Sequence, residues 1–133
     1  MIREFHPDDM ETCVHLLIEA YNGEPWNCHW TIETATRYLK EFVSNDKFVG
    51  FVLCDNETIV GALFAHRKTW WTNDELFVDE LYITPRLQRQ GYGERLLTHA
   101  EHCQIQRTGW IDVINQPIFS CESILREKRI YPC

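Results

Sequence analysis

At 133 residues the chain has room for one domain, which would bury roughly two-thirds of its unfolded surface without disulfides or metal. An apolar fraction of 44% excludes a disordered chain, and a net charge of -7 excludes the basic footprint of a general nucleic-acid binder. No apolar run reaches membrane-spanning length and no signal-peptide pattern opens the chain; the six cysteines form no Cys-x-x-Cys pair, so they read as reduced thiols of a cytoplasmic protein.

Met1 to Phe5 reads as a short strand. His6-Pro7-Asp8-Asp9 is a helix start, with proline early and acids in the first turn. Met10, Val14, Leu17, Ile18 and Tyr21 fall at helical spacing, and Asn22-Gly23 ends that helix. An aromatic loop follows, Glu24-Pro25-Trp26-Asn27-Cys28-His29-Trp30. Its tryptophans can plug the core or wall a ligand pocket, since rigid rings do either. Thr31 is placed to cap a second helix whose apolar face is Ile32, Ala35, Leu39, Phe42 and Val43.

Phe48–Cys54 and Thr58–Lys68 read as strands joined at Asp55-Asn56-Glu57, with Gly50 and Gly61 marking bulges or close approaches. Trp70-Trp71-Thr72-Asn73-Asp74 leads to a further strand through Leu76 to Ile83, stopped by Thr84-Pro85. After Gly91 and Gly93 a helical pattern opens with Leu96, Leu97, Ala100 and Cys103 inward, running to about Arg107. Strand, glycine-bearing turn and helix N-terminus make an anion site, because helix-start N–H groups and the dipole favour negative charge. Arg86, Arg89 and Arg95 concentrate positive charge there in an acidic protein. His99, His102 and Cys103 share a helical surface, but without a carboxylate motif they read as an ordinary exposed face, and no metal is expected.

The turn lacks the Lys-Ser/Thr of a Walker loop and the third glycine of a dinucleotide fingerprint. Gln88-Arg89-Gln90-Gly91-Tyr92-Gly93, preceded by Ile83-x-Pro85 and followed by Leu96-Leu97, instead resembles the coenzyme A pyrophosphate loop of the GNAT superfamily of N-acetyltransferases. The order of elements also resembles that family, over residues 1 to about 107. The implied fold is α+β: a mixed, mostly antiparallel sheet flanked by helices, in a single domain spanning residues 1–133. Residues 108–133 form an atypical tail, so the C-terminal strands are expected to be incomplete.

Family members continue with a strand and then a helix ending like Phe-Tyr-Glu-Lys-Asn-Gly-Phe, whose tyrosine commonly lies near the coenzyme sulfur. Here Trp110 to Ile114 suits a strand and Cys121 to Lys128 a short helix, but that motif is missing. Ser123 to Ile130 can be encoded AGT ATT TTA CGA GAA AAA CGG ATT, and reading one base later yields Val-Phe-Tyr-Glu-Lys-Asn-Gly. Gly109 to Gln116, treated alike, yields Val-Gly-Leu-Met-Leu-Leu-Thr, similar to the family's strand. The expectation is therefore a frameshift between Ala100 and Thr108; the other reading is a divergent native terminus.

The resemblance implies transfer of an acetyl group from acetyl-CoA to a primary amine of a small molecule, by direct attack in a ternary complex. The backbone of Leu81, Tyr82 and Ile83 would run along the pantetheine, and Gln88, Arg89, Gln90, Gly91, Tyr92, Gly93 and Glu94 would bind the pyrophosphate. An arriving ammonium must lose a proton, which assigns a catalytic role to Asp79 or Glu80. As strand neighbours these are expected to point to opposite faces, so that only one serves, Asp79 ranking first. Trp26, Trp30, Trp70 and Trp71 suit a cationic acceptor, with Trp26, Trp30 and Trp71 named as substrate-binding. Asn-x-Glu-Pro-Trp-Asn-x-x-Trp-Thr resembles small-molecule members, including aminoglycoside-acetylating ones. The other readings are a catalytically impaired remnant that binds coenzyme A or serves as an interaction module, and a site for another phosphorylated nucleotide. Apolar surface left by missing strands would be relieved in a homodimer.

Overall fold

A bidentate ion pair sets how the chain enters its first helix. In the computed structural model, which describes residues 1–71, 74–108 and 112–115, strand β1 (Ile2–Glu4) is followed by a 3-10 turn, Pro7–Asp9. The Asp9 carboxylate accepts from both terminal nitrogens of Arg3, at 2.8 and 3.0 Å, and from the His6 backbone N–H at 2.8 Å. Helix α1 (Met10–Asn22) then runs with Cys13, Val14, Leu16, Leu17, Ala20 and Tyr21 buried. Helix α2 (Ile32–Val43) is capped by the Thr31 hydroxyl, which accepts from Thr34 N–H, as its sequence predicts. Its buried side is Ala35 and Leu39, with Tyr38 and Phe42 packed partly against the core. Ile32, expected on that face, is exposed at the helix start.

Strands β2 (Phe48–Asp55), β3 (Thr58–Lys68), β4 (Glu75–Ile83) and β5 (Asp112–Asn115) complete a sheet in the order β1-β2-β3-β4-β5. Pairing is antiparallel through β4 and parallel between β4 and β5. The sheet is thus mixed and mostly antiparallel, as expected. Asn56, at φ 59°, makes the left-handed turn joining β2 to β3. Gly61 lies against β4: a Cβ there would meet the Ile83 side chain at 2.6 Å. A second 3-10 turn, Pro85–Leu87, leads to helix α3 (Tyr92–Thr108).

Alternation along the strands divides the core between two faces. Val52, Cys54, Ala62, Phe64 and Tyr82 meet α1 and α2. Val49, Phe51, Leu63, Ala65, Leu76, Val78, Leu81 and Ile83 meet Leu96 and Ala100 of α3. Tyr82 ties α1 to the sheet by donating to the Cys13 carbonyl at 2.8 Å. No described helix is long and apolar enough to cross a membrane.

Cys13, Cys54 and Cys103 are free thiols. The described strand β5 falls where one was expected. The helix expected at Cys121 to Lys128, the incomplete later strands and the frameshifted tail lie outside the described residues.

Asp9 supplies a test of this entry. The Arg3 guanidinium and the His6 N–H hold its carboxyl below the usual carboxylate range, against a smaller opposing effect of burial. A depressed folded value stabilises above the ordinary range, and that contribution is lost as pH falls through the folded value. Asp9→Asn should cost about 1–3 kcal/mol near neutral pH. In urea titrations that deficit should shrink towards zero in acid.

Candidate active site

The register of β3 against β4 slips by one residue. Phe64 pairs with Glu80 but Ala65 pairs with Val78, so Asp79 is an extra residue in β4, a β-bulge. Val78 and Leu81 both pack on the α3 face, although they are three residues apart. The odd step is absorbed at the bulge, and Asp79 and Glu80 both present their carboxylates on the α1/α2 side. This corrects the expectation that they point to opposite faces, which assumed unbroken alternation.

Glu80 is 5% exposed and held at both oxygens. Tyr21 of α1 donates to Oε1 at 2.6 Å, Tyr38 of α2 donates to Oε2 at 2.7 Å, and the Leu81 N–H donates to Oε1 at 3.3 Å. Burial pushes the Glu80 carboxyl up to about 7; the three donors oppose that rise, and neighbouring Asp79 adds to it. The Tyr38 phenol is raised by burial, then by the charge of Glu80 and, more weakly, of Asp79. Asp79 Oδ2 lies 2.7 Å from His66 Nδ1. Burial raises the Asp79 carboxyl and His66 opposes it.

The aromatic loop hangs on the same tyrosines. Trp26 meets Tyr21 edge-on, with centroids 6.0 Å apart, and Trp30 lies 4.9 Å from Tyr38. Asn22 fixes the loop by gripping the backbone of Trp30 twice: its amide donates to the carbonyl and its oxygen accepts from the N–H, both at 2.9 Å. Trp26 and Trp30 therefore pack on the two tyrosines that hold Glu80. Trp71 stands outside this cluster, 86% exposed on the connection after β3.

Below the carboxylates, β4 continues to Ile83. Its pairing with β5 covers Glu75–Val78, and Asp79–Ile83 has no partner on that side among the described residues. The side chains of Leu81, Tyr82 and Ile83 are buried, so only their backbone edge can meet a ligand. Beyond the strand, the Gln88 amide donates to the Ile83 carbonyl at 2.9 Å, tying the loop to the strand end. Arg89 (φ 62°) and Gly91 (φ 86°) take left-handed backbone. Nothing lies within 4 Å of where a Gly91 Cβ would sit, which leaves open space in front of the α3 N-terminus. Arg86, Arg89 and Arg95 are exposed around it, with the Arg95 guanidinium 5.3 Å from the centre of the Tyr92 ring. This is a fitting environment for a pyrophosphate. No group of three His, Cys, Asp or Glu side chains able to hold a metal occurs among the described residues.

The sequence model of the acetyltransferase (GNAT) family matches residues 10–114. The chain belongs to this family. No protein of curated function matches it. A GNAT acetyltransferase from Staphylococcus aureus shares the fold at a TM-score of 0.70 and 18% identity, covering 87% of this chain and 85% of that one. An aminoglycoside acetyltransferase from an uncultured soil metagenomic sample, in complex with sisomicin, gives 0.65 and 18% over 87% and 76%. AAC(6')-Iy, in complex with the bisubstrate analogue CoA-S-monomethyl-acetylneamine, gives 0.67 and 14% over 96% and 84%. These similarities concern the GNAT fold; acyl transfer is the chemistry of the family.

Tyr21, Tyr38 and His66 were not among the site residues read from the sequence. A signal was present for the tyrosines: each shares a helix face with buried apolar residues, where a phenol needs a polar partner. Glu80, set in an apolar strand, needs donors in return.

The raised Glu80 carboxyl has a consequence for stability. A folded value above the ordinary 4.5 means full stability below that pH and a loss as pH rises through about 7. Glu80→Gln removes this ionisation. Its stability relative to wild type should therefore improve by on the order of 1–3 kcal/mol across that window, read by melts at successive pH values. A difference that does not vary with pH would mean that Glu80 does not change its charge there.

Proposed function

We propose that this protein moves an acetyl group from acetyl-CoA to a primary amine of a small molecule, by direct attack in a ternary complex. The observation that carries the reading is the bulge, which brings Asp79 and Glu80 to one face of the strand that leads to the Gly91 turn.

The backbone of Leu81–Ile83 would flank the pantetheine, and its N–H groups would polarise the thioester carbonyl. Arg89, Gln90, Gly91, Tyr92, Gly93 and Glu94 would surround the pyrophosphate. Gln88 anchors that loop through Ile83 rather than reaching outward. Acetyl-CoA, when bound there, would supply the activated acetyl group and a thiolate leaving group. Asp79 takes the proton of the incoming ammonium, because its side chain is 14% exposed and within reach of the acceptor face. Glu80 has both oxygens engaged by tyrosines and instead holds Tyr21 and Tyr38 in place. Trp26 and Trp30 offer ring faces to a cationic acceptor, and a net charge of -7 favours its approach. Trp71 stays on the exposed connection and is assigned no contact with the acceptor. The relatives seen with sisomicin and with an acetylneamine conjugate make polycationic amines the first panel to test.

Calorimetric titration of acetyl-CoA, combined with free-thiol release across that panel, tests the assignment. Asp79→Asn should lower kcat by about 10²–10⁴-fold while coenzyme affinity holds. Gly91→Ala should weaken coenzyme binding about tenfold, because alanine resists the left-handed backbone there. Failure to bind coenzyme A or acetyl-CoA would remove the site assignment. Binding without thiol release from any amine would leave a coenzyme-binding remnant.

A further inference from the structure

β3 contributes a titratable side chain to the acceptor face that the mechanism above leaves unused. His66 follows Phe64 in the strand alternation, and its Nδ1 meets Asp79 Oδ2 at 2.7 Å. Its ring is tilted against that of Phe77, directly opposite on β4, with centroids 5.2 Å apart. Phe77 in turn carries the Lys68 ammonium 5.6 Å from its centre. The imidazole is thus held between a carboxylate and an aromatic ring, with its side chain 25% exposed.

We infer that His66 is the positioning residue for the proton acceptor: it fixes Asp79 through Oδ2, keeps it ionised, and leaves Oδ1 for the substrate ammonium. This rests on the acetyltransferase reading. An ionised carboxylate only accepts, so Nδ1 must carry the hydrogen and donate it. The bulge makes the contact necessary, because an extra strand residue has no cross-strand neighbour to order it. The other charged or titratable groups around the pair are Lys68 on β3, Glu80 on β4 and Tyr38 on α2, with Glu41 of α2 acting on Tyr38. Among the causes of the Asp79 shift only His66 favours its charged form, whereas burial opposes it.

His66→Leu removes the donor, and His66→Asn keeps an amide N–H near the position of Nδ1. In His66→Leu the acid limb of the kcat/KM profile should move to higher pH by about one unit, with activity recovering on the alkaline side. The acetyl-CoA KM should stay constant, and His66→Asn should keep the limb near its wild-type place. Carbon-13 NMR of labelled aspartate reads the Asp79 titration without turnover and should move by the same amount in His66→Leu. Wild-type turnover with an unmoved limb and an unmoved Asp79 titration in His66→Leu would overturn this inference alone. So would a loss shared by both variants that raising the pH does not restore. Absence of wild-type turnover with every amine would instead remove the function on which it rests.

Discussion

Ala65 pairs with Val78 and Phe64 with Glu80, so β4 must absorb Asp79 without a cross-strand partner. That constraint orders the rest of the site. Without it, strict alternation would send one carboxylate into the apolar α3 face, among Val78, Leu81 and Leu96, where an unpaired charge costs several kcal/mol. With it, both acids lie on the side where α1 and α2 supply phenols, and Leu81 and Ile83 return to the α3 core in phase. A bulge also increases local twist in its strand.

Glu80 shows how the helices are drawn to that side. A carboxylate this deeply buried is tolerated only when its oxygens are satisfied, and the donors come from two different helices, Tyr21 of α1 and Tyr38 of α2. The same rings support Trp26 and Trp30, so these indoles are anchored on a buried polar network rather than on loop stiffness alone. Fully satisfied networks of this kind add rigidity, and losing one member leaves the others buried without partners. The groups around Glu80 therefore form one structural unit.

Much of the turn between β4 and α3 was legible in the sequence, because it depends on residues close together along the chain. Pro85 ends a strand, Gly91 permits the left-handed backbone, and Leu96 and Ala100 mark the buried face of the helix that follows. Those signals need no knowledge of what packs across them. The placing of Asp79 and Glu80 depends on register, which is a relation between two strands. Nothing in Val78-Asp79-Glu80-Leu81 alone says that Phe64 will face Glu80 while Ala65 faces Val78. Tyr38 lies on the same helix side as Ala35, Leu39 and Phe42, so spacing marks it as core without revealing that its hydroxyl meets Glu80. Ile32 was misread because periodicity continues to a helix end whether or not a neighbour covers it. Trp71 lies in an aromatic-rich stretch, but composition does not place it beside the tryptophans of another loop.

The two halves of the site also differ in what they are made of. Toward the loop, β4 presents main chain, since Leu81, Tyr82 and Ile83 bury their side chains, and the loop relies on glycine conformation and a helix start. The face toward α1 and α2 presents carboxylates, phenols, an imidazole and indoles. Backbone geometry tolerates most side-chain replacements, whereas a hydrogen-bonded constellation tolerates few without re-forming its bonds. The two sides are also joined beyond the bulge, since Thr84 at the strand end donates to the Glu19 carboxylate of α1 and Tyr82 donates to the Cys13 carbonyl. In this protein the bulge residue is Asp79 and its side-chain hydrogen-bond partner among the described residues is His66, so a change at either position bears on how the two acids are presented.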